Sequence, residues 1–97
     1  MRSIDPAHPG TIIRALYITP PKINIRKVAI GLCVSPSILN RLLNGENTVS
    51  PKMALRLAKC FKRSPESWLA MQDQYDLWHV KKRVDLKSVK KLDVSLA

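Results

Sequence analysis

The stretch IRKVAIGLCVSPSILNRLLNG, residues 25–45, determines how this 97-residue chain folds. Its apolar residues recur at intervals of three and four over 25–32 and again over 36–43, as they do along one side of an α-helix. Ser35-Pro36 marks the start of the second segment, because serine caps free N–H groups and proline at the first helical position loses no hydrogen bond. Only Cys33-Val34-Ser35 separates the segments, so the sequence predicts two short helices joined by a tight turn.

Similar helix-start signals occur on both sides of this stretch. Ser50-Pro51 and Ser64-Pro65 precede further apolar-periodic segments, Pro9 suits the first turn of another helix, and Asn24 can cap the helix after it. No alternation typical of a strand is evident before residue 83. The sequence therefore predicts an all-α, five-helix domain over 1–82 and a short basic C-terminal tail over 83–97. The helices are expected at about 9–18, 25–32, 36–43, 51–61 and 65–82.

The apolar side of each predicted helix is expected to face a common core. Cys60, next to Phe61, is interpreted as a core residue, and Gly45 as the left-handed residue that ends the third helix. The residues predicted to point inward are Ile12, Ile13, Leu16, Val28, Ala29, Leu32, Ile38, Leu39, Leu42, Met53, Leu57, Ala58 and Phe61.

The size and charge of the chain narrow the possible classes of function. A chain of 97 residues is too short for a two-domain enzyme or a barrel. Lys and Arg number 17 against 7 acidic residues, and the formal charge of +10 favours nucleic acid as a partner without excluding an anionic membrane or an acidic protein. The chain has no apolar run of membrane-spanning or signal-peptide length and only two cysteines, so we expect a cytoplasmic protein with reduced thiols.

The third helix carries the side chains best suited to reading DNA. Two short helices with a tight connection have the spacing of a helix–turn–helix unit, which presents its second helix to the major groove. Asn can pair with adenine and Arg with guanine at two points each. The alternative is a plain helical hairpin with a solvated polar face. The residues predicted to point outward here are Ser35, Ser37, Asn40, Arg41 and Asn44.

A phosphate-binding site is predicted just after this helix. Lys52 lies at the N-terminus of the fourth helix, where free backbone N–H groups attract anions. The preceding loop contributes Asn47 and Thr48, which can also hydrogen-bond to phosphate.

The fifth helix is predicted to serve the core and a homodimer interface together. Trp68, Met71, Tyr75 and Trp78 recur at three, four and three residues and so share one stripe. Ordinary core packing explains Trp68, but so small a core is not expected to cover the whole stripe. We expect Tyr75, Leu77 and Trp78 to lie partly in a homodimer interface, which would set two third helices about 34 Å apart.

The sequence shows no pattern typical of a metal site or an enzyme. Cys33, Cys60, His8 and His79 lack the short paired spacings of metal ligands, and His79 is expected to interact with the end of its own helix. The sequence has no Gly-rich phosphate loop, activated Ser/His pair or close carboxylate pair. We therefore expect a non-enzyme without cofactors.

The sequence also resembles the HigA/VapI group of antitoxins, which belong to the lambda-repressor-like (XRE) helix–turn–helix proteins. The resemblance spans residues 8–80 and is most specific in the pattern SPESWL…QYDLW of residues 64–78. The motifs that carry it are His8-Pro9-Gly10, Val34-Ser35, Arg41-Leu42-Leu43-Asn44-Gly45, Ser50-Pro51-Lys52-Met53-Ala54-Leu55-Arg56-Leu57-Ala58, Ser64-Pro65-Glu66-Ser67-Trp68-Leu69 and Gln74-Tyr75-Asp76-Leu77-Trp78.

The resemblance implies a dimeric repressor that binds the operator of its own toxin–antitoxin operon. It also implies a second partner, a HigB-type toxin that cleaves mRNA. Two other interpretations remain open: a basic protein-interaction module with no operator, and an XRE-type regulator with no toxin. The chain departs from the group at Cys33, where glycine is common and a left-handed backbone would cost on the order of 1 kcal/mol, so an adjusted turn is expected.

Residues 83–97 differ in character from the helices. Three lysines alternate loosely with five apolar residues, which fits a frayed tail, a short strand or a segment ordered by a partner. A solvated, mobile tail is the default expectation.

Overall fold

The fold was described from a computed structural model, which covers residues 5–19 and 23–94. Helix α1 (Pro9–Ile13) continues directly into a π-helical turn (Arg14–Ile18), and four α-helices follow. These are α2 (Ile25–Leu32), α3 (Pro36–Leu43), α4 (Pro51–Cys60) and α5 (Pro65–Lys81). The all-α prediction is confirmed, with ends of α4 and α5 one residue short of the expected ones. No strand occurs in the described ranges.

The helices begin where local chemistry favours them. The side chains of Asn24, Ser35, Ser50 and Ser64 each accept a hydrogen bond from a backbone N–H two or three residues on, at 2.8–3.2 Å. At the start of α1 the cap is His8, whose ring Nδ1 accepts from the Gly10 N–H at 2.9 Å. The sequence predicted Pro9 as the first residue of this helix but did not identify its histidine cap.

The centre of the core lies where α5 packs against the other helices. Trp68 is fully buried, and α5 packs mainly on α4 while also touching α1. Helix α1 in turn rests on the end of α3, where a Cβ at Gly10 would overlap the Leu42 carbonyl. The buried apolar residues are Ile13, Ile18, Val28, Ala29, Leu32, Leu39, Leu42, Leu43, Val49, Ala54, Leu57 and Trp68.

Three residues predicted to face the core do not. Leu16 is 50% exposed, because the π-helical turn advances by a smaller angle per residue and buries Ile18 in its place. Ile38 is 42% exposed, because it lies on the flank of α3 beside the following loop. Cys60 is also exposed, since the last residue of α4 borders a surface groove.

The two special backbone positions of the helix–turn–helix segment are both left-handed. Gly45 follows α3 with φ of 77°, as predicted for a residue that ends a helix. Cys33 has φ of 59° and ψ of 42° at the end of α2. The expected adjustment of the turn was wrong, because the cysteine adopts the strained conformation itself.

Beyond α5 the chain has little regular structure. Residues 84–94 are exposed, and their apolar side chains face solvent. Arg83 connects this segment to α5 through a hydrogen bond from its Nε to the His79 carbonyl at 3.3 Å. Residues 95–97 of the predicted tail and residues 1–4 of the predicted domain lie outside the described residues.

Candidate DNA-binding surface

One side of α3 is polar and open to solvent. Leu39, Leu42 and Leu43 are buried, so the helix turns the opposite side outward. At about 100° per residue, Ser37, Asn40, Arg41 and Asn44 fall on a single stripe along that side, and all four are exposed. Ser35 is exposed as well, at the start of the helix, with its Oγ accepting from the Ile38 N–H at 3.2 Å.

Asn44 differs from the rest of this stripe in the hydrogen bonds of its side chain. Its side-chain oxygen accepts a hydrogen bond from Arg14 Nη2 at 3.3 Å, and its Nδ2 donates to Glu46 at 3.5 Å. Both halves of the amide therefore have partners within the chain. Ser37, Asn40 and Arg41 form no such side-chain pair among the described residues, and they lie nearer the N-terminal end of the helix.

A shallow cleft separates α3 from the loop that follows it. Its walls are formed by Ile38 and Leu42 on one side and by Asn47, Thr48 and the start of α4 on the other. Lys52 is exposed in the first turn of α4, next to this cleft in sequence. The structure thus brings Asn47 and Thr48 alongside the predicted base-reading helix, while Lys52 lies in the first turn of the helix that follows.

The loop between α3 and α4 is attached to the domain at two points. The His8 ring lies close to the backbone of Asn47, which acts to raise the pKa of the ring. Gln72, buried on α5, accepts from the Val49 N–H through Oε1 at 2.8 Å. Sequence reasoning missed both contacts, since no local pattern relates residues so far apart along the chain.

The turn between α2 and α3 is also supported from a distance. Arg56 on α4 donates through Nη1 to the carbonyls of Leu32 and Cys33, at 2.9 and 3.2 Å. These bonds satisfy carbonyl groups that the end of α2 leaves free. Arg56 therefore fixes the turn rather than contributing a free surface charge, a role that its sequence position did not reveal.

Charge is distributed unevenly over the chain. Residues 6–64, which include α1 to α4, contain ten Lys or Arg residues and a single acid, Glu46. Helix α5 reverses the balance, with Glu66, Asp73 and Asp76 against Lys81. The positive charge of the protein is thus concentrated on the helices that carry the polar stripe, where it favours a polyanion.

The three predicted dimer residues do not share one surface. Tyr75 is half-buried, with its ring 4.9 Å from that of His8 and 4.3 Å from that of His79. Leu77 points to roughly the opposite side of α5 and is 68% exposed. Trp78 is half-buried, with the Lys82 ammonium 4.5 Å above its ring.

Two shallow grooves border Leu77. The first is lined by Asp73, Asp76 and Val80, and the second by Gln74, Trp78 and Lys81 together with Pro6. Including Leu77, each set on α5 has the spacing i, i+3, i+4, i+7, which forms the hole that receives a side chain from a facing helix.

The remaining histidine and cysteine residues do not converge. His79 lies in the last turn of α5, and its Nε2 is 3.8 Å from the Asp5 carboxylate. Cys33 and Cys60 border a different groove, beside Arg56 and Lys59. In the described part of the chain, no cluster of three or more His, Cys, Asp or Glu could hold a metal ion. The helices described there are too short or too polar to cross a bilayer.

Two helices joined by a tight turn, the second with a polar outer side, define a helix–turn–helix domain. A family profile described as "Helix-turn-helix" matches residues 13–68. "Virulence-associated protein A'" of Dichelobacter nodosus is 41% identical over 81% of this chain and 69% of its own length. "Antitoxin HigA-1" of Vibrio cholerae is 31% identical over 94% of this chain and 88% of its own.

The solved structure of "antitoxin GraA in complex with its operator" is similar throughout. Its TM-score is 0.85 at 30% identity, and the match covers 97% of this chain and 98% of that one. The chain therefore belongs to the HigA/VapI antitoxin group of the XRE-type helix–turn–helix family.

Proposed function

We propose that the protein is a dimeric antitoxin that binds the operator of its own operon, represses it, and neutralises a HigB-type mRNA-cleaving toxin. The observation that carries the DNA-binding part is the exposed polar stripe of α3, set among helices with ten cations and one acid. The operator complex of the similar antitoxin GraA supports the same interpretation.

In this proposal α3 lies in the major groove with its polar stripe facing the bases. Ser37, Asn40 and Arg41 face base edges, with Asn suited to adenine and Arg to guanine. Asn44, whose amide is already paired with Arg14 and Glu46, lies at the edge of the contact and orients the end of the helix.

The remaining predicted residues bind the phosphate backbone. Ser35, Asn47 and Thr48 offer short polar side chains around the cleft beside α3, and Lys52 adds a charge at the N-terminus of α4. Phosphate contacts orient the protein on the duplex but carry no sequence information. They therefore contribute affinity that falls as salt rises.

The Lys52→Ala variant tests the phosphate site. We expect it to weaken binding to all sequences alike and to reduce the slope of log K against log salt by about 0.9 for each phosphate that is no longer bound. Lys62→Ala removes the same charge beyond the other end of α4 and serves as the control. An unchanged slope for Lys52→Ala, or an equal change for both variants, would contradict the assignment.

We propose that the dimer forms through the outer side of α5, where Leu77 of one protomer enters a groove beside Leu77 of the other. Exposed apolar surface at a regular helical spacing is typical of a helix–helix contact. Trp78 borders this contact. Tyr75 supports it through an edge-on contact with the His8 ring and a tilted contact with the His79 ring.

Charge favours an antiparallel arrangement of the two helices. A two-fold axis at Leu77 brings Asp73, four residues before it, opposite Lys81 of the other protomer, four residues after it. A parallel arrangement would set Asp73 against Asp73. The acidic part of each α5 therefore faces the basic end of its partner.

A charge exchange tests this arrangement by sedimentation. We expect Asp73→Lys and Lys81→Asp each to weaken self-association, and the double variant to restore it, because each pair is then re-formed with reversed polarity. Glu66→Lys alters the charge of the same helix in its first turn, outside both grooves, and serves as the control. Weakening that the double variant leaves unrepaired would contradict the arrangement.

Co-expression with the neighbouring reading frame tests the toxin partner. We expect its product, a small basic ribonuclease, to co-purify with this chain and to lose its mRNA cleavage in the complex. Retained operator binding with no such complex would instead favour an XRE-type regulator without a toxin.

A further inference from the structure

Gln72 is a polar side chain on α5 that is buried in a largely apolar core. It is 3% exposed and lies one turn after Trp68 on α5. Both ends of its amide are used: Oε1 accepts from the Val49 N–H at 2.8 Å, and Nε2 donates to Asp76 Oδ1 at 3.0 Å. The side chain therefore connects the outer part of α5 with the loop between α3 and α4.

These two bonds need a side chain that both accepts and donates, as the Gln72 amide does. A carboxylate at position 72 could not donate to Asp76, and repulsion between the two carboxylates would displace it from the Val49 N–H. An apolar side chain would leave a buried backbone N–H without its partner. The charge of Asp76 thus fixes which way the Gln72 amide faces, and so directs its oxygen at the loop.

His8 holds the same loop from the other side. Its ring lies close to the backbone of Asn47, and its Nδ1 caps α1 by accepting from the Gly10 N–H. A Cβ at Gly45 would lie 3.7 Å from the ring, so the start of the loop rests against it as well. The two attachments, at Asn47 and at Val49, leave Thr48 exposed between them.

Asp76 acts on both of the side chains that hold the loop. It accepts from Gln72, and its charge raises the pKa of His8 against the stronger lowering caused by burial. A single carboxylate on α5 therefore influences the two side chains that hold the loop.

We propose that Gln72, oriented by Asp76, is a positioning residue that holds the loop Asn47–Val49 in its phosphate-binding conformation, with His8 as the second support. This inference rests on the proposed DNA contacts of that loop. Gln72 itself touches no DNA, and its effect is transmitted through the Val49 N–H.

The test compares the full-length Gln72→Glu variant with the double variant Gln72→Glu/Asp76→Asn. We expect Gln72→Glu to lower operator affinity by about three- to tenfold and to reduce the salt slope by about 0.9 for each phosphate that is no longer bound. In the double variant the new amide at position 76 donates to the carboxylate at position 72, and that carboxylate accepts from the Val49 N–H. Operator affinity and the salt slope should therefore return to the values of the unaltered chain. Ala70→Glu adds the same charge at an exposed position of α5 outside both grooves beside Leu77 and should have little effect.

Hydrogen exchange at Val49 gives a second readout that does not require DNA. We expect faster exchange of its N–H in Gln72→Glu and recovery in the double variant. If Gln72→Glu does not fold, Asp76→Ala removes the orienting carboxylate and should show the same two changes more weakly. If the variant had the same salt slope of DNA binding and the same Val49 exchange rate as the unaltered chain, the inference would be overturned.

The same experiments separate this inference from the proposed function. If the unaltered chain shows no preference for its operator, the proposed function fails, and exchange at Val49 still decides whether Gln72 holds the loop. If the unaltered chain does prefer its operator but the double variant restores neither the salt slope of binding nor the exchange rate of the Val49 N–H, only the positioning role fails.

Discussion

Helices α3 and α5 present opposite kinds of outer surface. Both bury apolar residues on one side, but α3 turns Ser37, Asn40 and Arg41 outward, whereas α5 exposes Leu77 and Val80. A polar outer side is satisfied by water and can exchange that water for bases and phosphates. An apolar outer side gains free energy only when a second protein surface covers it.

The two regions also differ in charge. Helices α1 to α4 lie in a segment with ten cations and one acid, while α5 carries three acids and one lysine. A polyanion is attracted to the first region and repelled by the second. This contrast is the basis for proposing that α3 faces DNA and that the outer side of α5 faces a second protein surface.

The largest expected effect comes from the inner side of α5. Trp68 is fully buried and its ring lies 6.4 Å from that of Tyr17. We expect Trp68→Ala to lower the free energy of unfolding by about 3–5 kcal/mol, measured by urea denaturation, because a large cavity is left in a small core. Trp78→Ala, the same change at a half-buried position, should chiefly weaken self-association. A normal dimer mass for Trp78→Ala would count against its interface role.

The next effect concerns the outer side of α3. Arg41 is exposed on the polar stripe and is expected to bind a guanine at two points. Arg41→Ala should cost about 1–3 kcal/mol of binding free energy at one base position and relax specificity there, measured with a set of single-base operator variants. An equal loss on operator and on random DNA would show that Arg41 contacts only phosphate.

A smaller effect is expected at the turn before α3. Cys33 adopts a left-handed conformation that glycine adopts without strain. We expect Cys33→Gly to raise the free energy of unfolding by roughly 0.5–1 kcal/mol, measured by urea denaturation. Cys33→Ala retains the Cβ and should bring no such gain. If both variants changed stability equally, the thiol rather than the backbone would be responsible.

The smallest effect is a dependence of stability on pH. Burial lowers the pKa of His8 below its ordinary value of 6.5, so the folded chain resists the proton that the unfolded chain accepts. The contribution of His8 is fully present above that value and is lost as the pH falls below it. His8→Asn keeps a capping oxygen without the titration, so its urea stability should fall less between about pH 7.5 and 5.5. Parallel profiles for the two proteins would refute the role of His8.

The helix starts could be predicted from the sequence because they depend on neighbours in the chain. Ser35, Ser50 and Ser64 cap N–H groups within three residues, and the proline after each lies in the same short window. The polar stripe of α3 follows from helical spacing alone, since the apolar residues that oppose it are equally local.

The features that were missed depend on contacts across the fold. The π-helical turn that exposes Leu16 has no spacing signal in a single sequence. The roles of Arg56 and Gln72 arise from hydrogen bonds to residues more than 20 positions away. Tyr75 and Leu77 were both predicted for the dimer interface, although residues two apart on a helix point to nearly opposite sides.

Methylation protection on the DNA upstream of the protein's own gene tests most directly whether the outer side of α3 reads bases. Dimethyl sulfate attacks guanine N7 in the major groove, where Arg41 is expected to bind. We predict protected guanines in two symmetric half-sites about 34 Å apart, with one guanine in each half-site exposed again in Arg41→Ala. Protection spread evenly along the DNA, or unchanged in Arg41→Ala, would contradict the account.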